Sequence, residues 1–108
     1  MKETEIQNSI LEYLHYKNIF AWRNNSGAVF DPTSQVFRAK GRWDLNGVPD
    51  IVGILPDGRF LGIEVKKTAK SKVSADQLSF IKMATTRNAV CFVAWDLKGV
   101  REGLKHVV

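Results

Sequence analysis

Three residues in the middle of this chain have the types and spacing to do chemistry: Asp50, Glu64 and Lys66. They lie in Gly47-Val48-Pro49-Asp50, Ile51-Val52-Gly53-Ile54, a Pro56-Asp57-Gly58 turn, and Phe60-Leu61-Gly62-Ile63-Glu64-Val65-Lys66. Two short apolar runs around a turn predict a β-hairpin. Side chains alternate along a strand, so Leu61, Ile63 and Val65 share one face, and Glu64 and Lys66 share the other. Antiparallel pairing would bring Asp50 and Glu64 together. Two carboxylates beside a lysine suit a hard divalent cation and a cationic group acting on water or phosphate. A plainer reading stands beside this one. Glu64 and Lys66 could be an exposed ion pair on an edge strand, which is nearly neutral energetically, and Asp50 a turn residue after Pro49.

Composition bounds the rest. The chain has 108 residues, which fits one domain with one modest core. It is 44% hydrophobic and 25% charged, ordinary values for a globular protein. No apolar run approaches the roughly 20 residues that span a bilayer. The opening Met1-Lys2-Glu3-Thr4-Glu5 is too polar for a signal peptide, so a cytoplasmic location is expected. Cys91 is the one cysteine; it reads as a small core residue and excludes a disulfide framework. Net charge is +5 and the sequence pI about 9.6, values that suit a polyanionic partner. Lys66, Lys67, Lys70 and Lys72 fall within seven residues free of acids, and Arg38, Lys40 and Arg42 form a second basic group. Each group could equally be a solvated basic surface.

The elements that must position the three residues read as follows. Glu3 to Asn18 is an amphipathic helix, with Ile6, Ile10 and Leu14 recurring every four residues and Leu11 widening the stripe. Glu3 and Gln7 share one helix face, where an acidic first turn also favours the helix dipole. Ile19 to Asn24 is a strand with Phe20 and Trp22 on one face, closed by Asn25-Ser26-Gly27. In Ala28 to Asn46, Val29-Phe30 and Val36-Phe37 flank the turn-forming Asp31-Pro32-Thr33-Ser34, so a protruding hairpin is expected. Its aromatic and basic residues, from Phe30 to Trp43, suit nucleic acid or a subunit interface equally. Lys67 to Val73 is a lysine-rich loop. Ser74 to Arg87 is a helix opened by a Ser-x-x-Gln capping box, with Leu78, Ile81 and Met83 on its apolar side. Val90 to Trp95 reads as a buried strand. Asp96 caps a last helix carrying Leu97, Val100 and Leu104, weakened by Gly99 and Gly103. His15 and His106 lack a second ligand at suitable spacing.

The Gly-x-Pro-Asp strand followed by Glu-x-Lys resembles the PD-(D/E)xK nuclease superfamily, and more narrowly its virus-type replication-repair nuclease (VRR-NUC) domain. Glu3-Thr4-Glu5-Ile6-Gln7 resembles the family's opening Glu-x-x-Ile-Gln, with Glu5 one residue off the spacing. Asn25-Ser26-Gly27 and Ser74-Ala75-Asp76-Gln77 resemble two further features. The resemblance spans nearly the whole chain, Ala28 to Asn46 and the last dozen residues excepted. It implies an α/β fold with a restriction-endonuclease-like αβββαβ core, a mixed central sheet flanked by helices. It implies an Mg²⁺- or Mn²⁺-dependent DNA endonuclease without a small-molecule cofactor. Asp50 and Glu64 would be metal ligands, with the Val65 backbone carbonyl and Glu3 completing the set. Lys66 would orient or deprotonate the attacking water, and Gln77 would position Lys66 or that water. One glutamine side chain is not expected to serve both this site and the Ser74 cap in full. Ser26, Arg38, Lys40, Arg42, Lys67, Lys70 and Lys72 would contact DNA. With no base-reading motif, branched DNA such as a four-way junction is the expected substrate, in keeping with the phage-like genomes in which small stand-alone members occur. Symmetric resolution implies a homodimer built through the Ala28 to Trp43 region. Alternatives are a non-catalytic DNA-binding module of the same fold, a sequence-specific restriction-type enzyme, or a basic protein-binding domain.

Overall fold

The computed structural model describes residues 1–24, 29–31, 36–38 and 43–108, the two short pieces as backbone only. The elements follow the chain as α1 (Glu3–Tyr16), β1 (Phe20–Arg23), β2 (Val29–Asp31), β3 (Val36–Arg38), β4 (Ile51–Ile54), β5 (Phe60–Val65), α2 (Ala75–Thr85), β6 (Val90–Ala94) and α3 (Leu97–Gly103). Leaving aside the β2–β3 hairpin and α3, the order is αβββαβ. Ser26, Lys40 and Arg42 lie outside the described residues. Arg38 is placed in β3 by its backbone alone.

The main sheet has the order β1-β4-β5-β6, antiparallel except for the parallel β5–β6 pair, so it is mixed as expected. The central hairpin is in register from Ile51 opposite Ile63 to Ile54 opposite Phe60. Phe30 lies opposite Phe37 in the separate β2–β3 pair, which makes that segment a hairpin.

Period-two alternation gives β5 its two roles. Leu61, Ile63 and Val65 are completely buried, packed with Ile6, Ile10 and Leu14 of α1 and with Val100 and Leu104 around α3. The helical stripe of α1 thus meets the strand stripe of β5 in one core. Gly103 has a packing reason. A Cβ there would lie 2.4 Å from the Phe92 ring, so only glycine lets α3 close over β6. The Asp96 cap forms, its Oδ1 accepting from the Gly99 N–H at 2.8 Å.

Two local expectations are corrected. Within α2 no residue is fully buried. Leu78 and Met83 are both 55% exposed, while Gln77, Phe80, Ile81 and Ala84 are the half-buried positions. The helix is turned so that its first-turn glutamine faces the sheet. Strand β6 is half-buried up to Ala94 rather than enclosed, because it forms an edge of the sheet. Among the described residues, no helix is long and apolar enough to cross a membrane.

Candidate active site

Asp50 stands immediately before β4 and is held from both sides. On the β1 side its carbonyl accepts from the Asn24 N–H at 2.7 Å, extending the β1–β4 ladder by one step. On the β5 side its carboxylate Oδ2 accepts from the Val65 N–H at 2.8 Å. Pro49 before it is buried and lacks an N–H, and its carbonyl accepts from Asn24 Nδ2 at 3.3 Å. Gly47 adopts φ +81° and presses on the start of α2. A Cβ there would lie 2.3 Å from the Asp76 carbonyl oxygen, so only glycine brings the segment this close.

Glu64 is the buried charged residue of the described core, 3% exposed. An ion pair joins its Oε2 to Lys66 Nζ at 3.4 Å, and Gln77 Nε2 donates to the same oxygen at 2.8 Å. Lys66 Nζ donates to Gln77 Oε1 at 2.9 Å. The Lys66 backbone N–H donates to the Ala94 carbonyl at 2.9 Å, so the residue leaves β5 while still tied to β6. The plainer reading of an exposed ion pair therefore fails: the pair is enclosed and bonded to a third side chain.

Gln77 serves both of the uses that the sequence set in competition. Its Oε1 accepts from the Ser74 N–H at 2.9 Å as well as from Lys66, and its own N–H donates to Ser74 Oγ at 3.1 Å. The capping box is complete. A carbonyl oxygen has two lone pairs and the amide nitrogen two protons, so one side chain satisfies the cap, the lysine and the glutamate. The expectation of a conflict is overturned by this geometry.

Burial, and then the neighbouring Asp50 charge, push the Glu64 carboxyl up from 4.5 to about 7, against the opposing pull of Lys66. Burial, and then Glu64, also push the Cys91 thiol up from 9.0 to about 11, which keeps it protonated and fits its reading as a small packed residue. Among the described residues no group of three or more His, Cys, Asp or Glu side chains gathers to hold a metal. Asp50 and Glu64 come together; Glu3 is exposed in the first turn of α1. Near it, Gln7 accepts from Arg23 Nε at 2.8 Å, and Asn8 accepts from the same guanidinium, so this helix face is tied to β1.

Two carboxylates against one lysine leave excess negative charge in a buried place. That donor set fits Mg²⁺ or Mn²⁺, which commonly take one or two carboxylates and complete their shell with water and phosphate oxygens. The Val65 side chain is buried inward, as the resemblance implies for a residue offering only its backbone. Lys67, Lys70 and Lys72 are exposed on the adjoining loop, which turns on hydrogen bonds between Thr68 and Ser71. Sequence reasoning missed Asn24 and the Val65 N–H as supports of Asp50. Neither carries a local signal, because both act on a residue far along the chain.

Compared with known proteins, the chain matches no family model and no curated protein sequence. Solved structures do match. One, described as a VRR_NUC domain, has a TM-score of 0.71 and 24% identity over 98% of this chain and 97% of its own. Another, a VRR_NUC domain protein, has a TM-score of 0.69 and 18% identity over 100% of this chain and 88% of its own. This chain has the VRR-NUC fold. Within the VRR-NUC fold, Asp50, Glu64, Lys66 and Gln77 converge on one face of the mixed sheet, at the mouth of the β4–β5 pair and beneath the start of α2.

Proposed function

We propose that this protein is a divalent-metal-dependent DNA endonuclease acting on branched substrates. The observation that carries the reading is the closed Glu64–Lys66–Gln77 network beside Asp50, on a fold shared with VRR-NUC domains. Asp50 and Glu64 would hold Mg²⁺ or Mn²⁺; Glu3 and the Val65 carbonyl are the further ligands that the resemblance implies. The bound cation supplies polarisation of the phosphate and a lowered water pKa. Lys66 would orient or deprotonate the attacking water, or balance charge on the phosphate oxygens. Gln77 fixes the lysine through Oε1 and the glutamate through Nε2, so both partners are placed before substrate arrives. Lys67, Lys70 and Lys72 bind flanking phosphates without reading sequence, and Ser26, Arg38, Lys40 and Arg42 are the further DNA contacts that the resemblance implies. No base-reading element stands among the described residues, which favours structure over sequence as the selected feature. A homodimer would supply the two cuts that a four-way junction requires, and the working compartment is the cytoplasm.

The test incubates purified protein with duplex, flap and four-way-junction DNA, with and without Mg²⁺ or Mn²⁺. Cleavage is expected only with metal and best on branched DNA. Asp50→Asn should abolish cleavage while DNA binding persists. Wild-type cleavage by Asp50→Asn at saturating Mg²⁺ would remove the assignment.

A further inference from the structure

Helix α2 packs on β5 and β6. Toward the β1 edge of the same face, exposed apolar side chains stand among the described residues. Phe20 is 67% exposed, and Trp22 and Ile54 are each 45% exposed. Phe20 lies directly opposite Ile54, and Trp22 opposite Val52. The two rings stand 5.1 Å apart with planes inclined at 47°, so neither covers the other's face. An edge strand more often shows water charged side chains. On β1 the core requires only Ala21, from the opposite face.

We propose that Phe20 and Trp22 form a stacking platform for unpaired bases of the strand whose phosphate lies at Asp50 and Glu64. This rests on the nuclease reading and names the feature of a branched substrate that the site selects. Two observations support it. Position comes first: the register puts Trp22 on the same face as Asp50, level with Val52, two residues further along β4. At about 3.3 Å per residue the ring lies roughly 7 Å along the strand direction from the carboxylate. Chemistry comes second. Aromatic side chains beside a basic surface hold single strands by stacking, whichever base is present, and a paired duplex hides the base faces that stacking needs.

The experiment uses the full chain carrying Asp50→Asn, with Ca²⁺ present, and measures binding by fluorescence anisotropy. Two probes are compared: a fully paired duplex, and the same duplex with a single-stranded thymidine arm. Replacing Phe20 and Trp22 with Ala should weaken binding of the armed DNA about tenfold and leave the plain duplex within twofold. Replacing both with Leu keeps apolar area but removes the rings, and should weaken the armed DNA as Ala does. Equal loss on both probes, or no loss on either, overturns the platform while leaving the nuclease reading intact. So does a Leu variant that binds as wild type, or an Ala variant whose light-scattering mass halves, which would make the patch a contact between copies. Failure of the unsubstituted Asp50→Asn chain to bind either probe would overturn both readings.

Discussion

The two faces of β5 are built from one six-residue strand and behave as different materials. On one face Leu61, Ile63 and Val65 meet α1 and α3 in an apolar interior with no exposed surface. On the other, Glu64 is as enclosed as a core residue but is held by hydrogen bonds and an ion pair under a helix that has no fully buried residue. The first face is stabilised by removing carbon from water, which is tolerant of direction. The second needs every donor matched to an acceptor, because an unmatched buried polar atom costs more than a good hydrogen bond returns. Among the described residues no buried side-chain polar atom lacks a partner. The comparison teaches that the apolar face keeps the strand in place so that the polar face can hold a charge.

The largest effect should come from breaking the apolar face. Ile63→Ala should lower unfolding free energy by about 2–5 kcal/mol. For a domain of this size that lowers the melting temperature by roughly 10 °C or more, read by calorimetry. A loss under about 1 kcal/mol would mean that this face is not the main source of stability.

Breaking the polar face should cost less stability and more chemistry. Gln77→Ala removes the cap partner, the lysine acceptor and the glutamate donor together. We expect about 1–2 kcal/mol in unfolding free energy and at least a tenfold loss of cleavage rate. Ser74→Ala, which weakens only the cap, should cost about 1 kcal/mol and leave more of the rate. Equal rates in the two variants would show that Gln77 acts only as a cap.

The raised Glu64 carboxyl sharpens the comparison through pH. Its folded value is about 7 against 4.5 for the free side chain, so the folded state holds the proton more tightly. Its contribution is therefore greatest below pH 4.5, declines as pH rises from 4.5 to 7, and is flat above. The decline should be about 1–3 kcal/mol in urea titrations without metal. Glu64→Gln should flatten it, and Mg²⁺ added above pH 7 should restore stability. An unchanged slope in Glu64→Gln would show that the carboxyl is not the group responsible.

The smallest change in the fold should come from Lys70→Glu with Lys72→Glu. Both are exposed, so stability should move by less than about 0.5 kcal/mol. DNA binding should weaken, and the slope of log affinity against log salt should become shallower by about two. An unchanged slope would turn that loop away from the substrate.

Local rules made much of this readable. The i, i+4 spacing of Ile6, Ile10 and Leu14 marks α1 and its buried side. Alternation through Leu61, Ile63 and Val65 marks β5, and Ser74 with Gln77 marks the start of α2. The spacing of Asp50, Glu64 and Lys66 around one turn places them at a common end of a hairpin. These features depend on neighbours within a turn or a pleat, so a linear string carries them. Other facts depend on elements meeting across the chain. That β4 lies between β1 and β5, that α2 turns Gln77 rather than Leu78 toward the sheet, and that one amide joins Ser74, Lys66 and Glu64 are decided by packing. So is the exposure of Phe20 and Trp22, of which only the alternation is plain in the sequence. Burial and charge proximity exist only once the strands are side by side, and they lead in moving the Glu64 carboxyl to about 7.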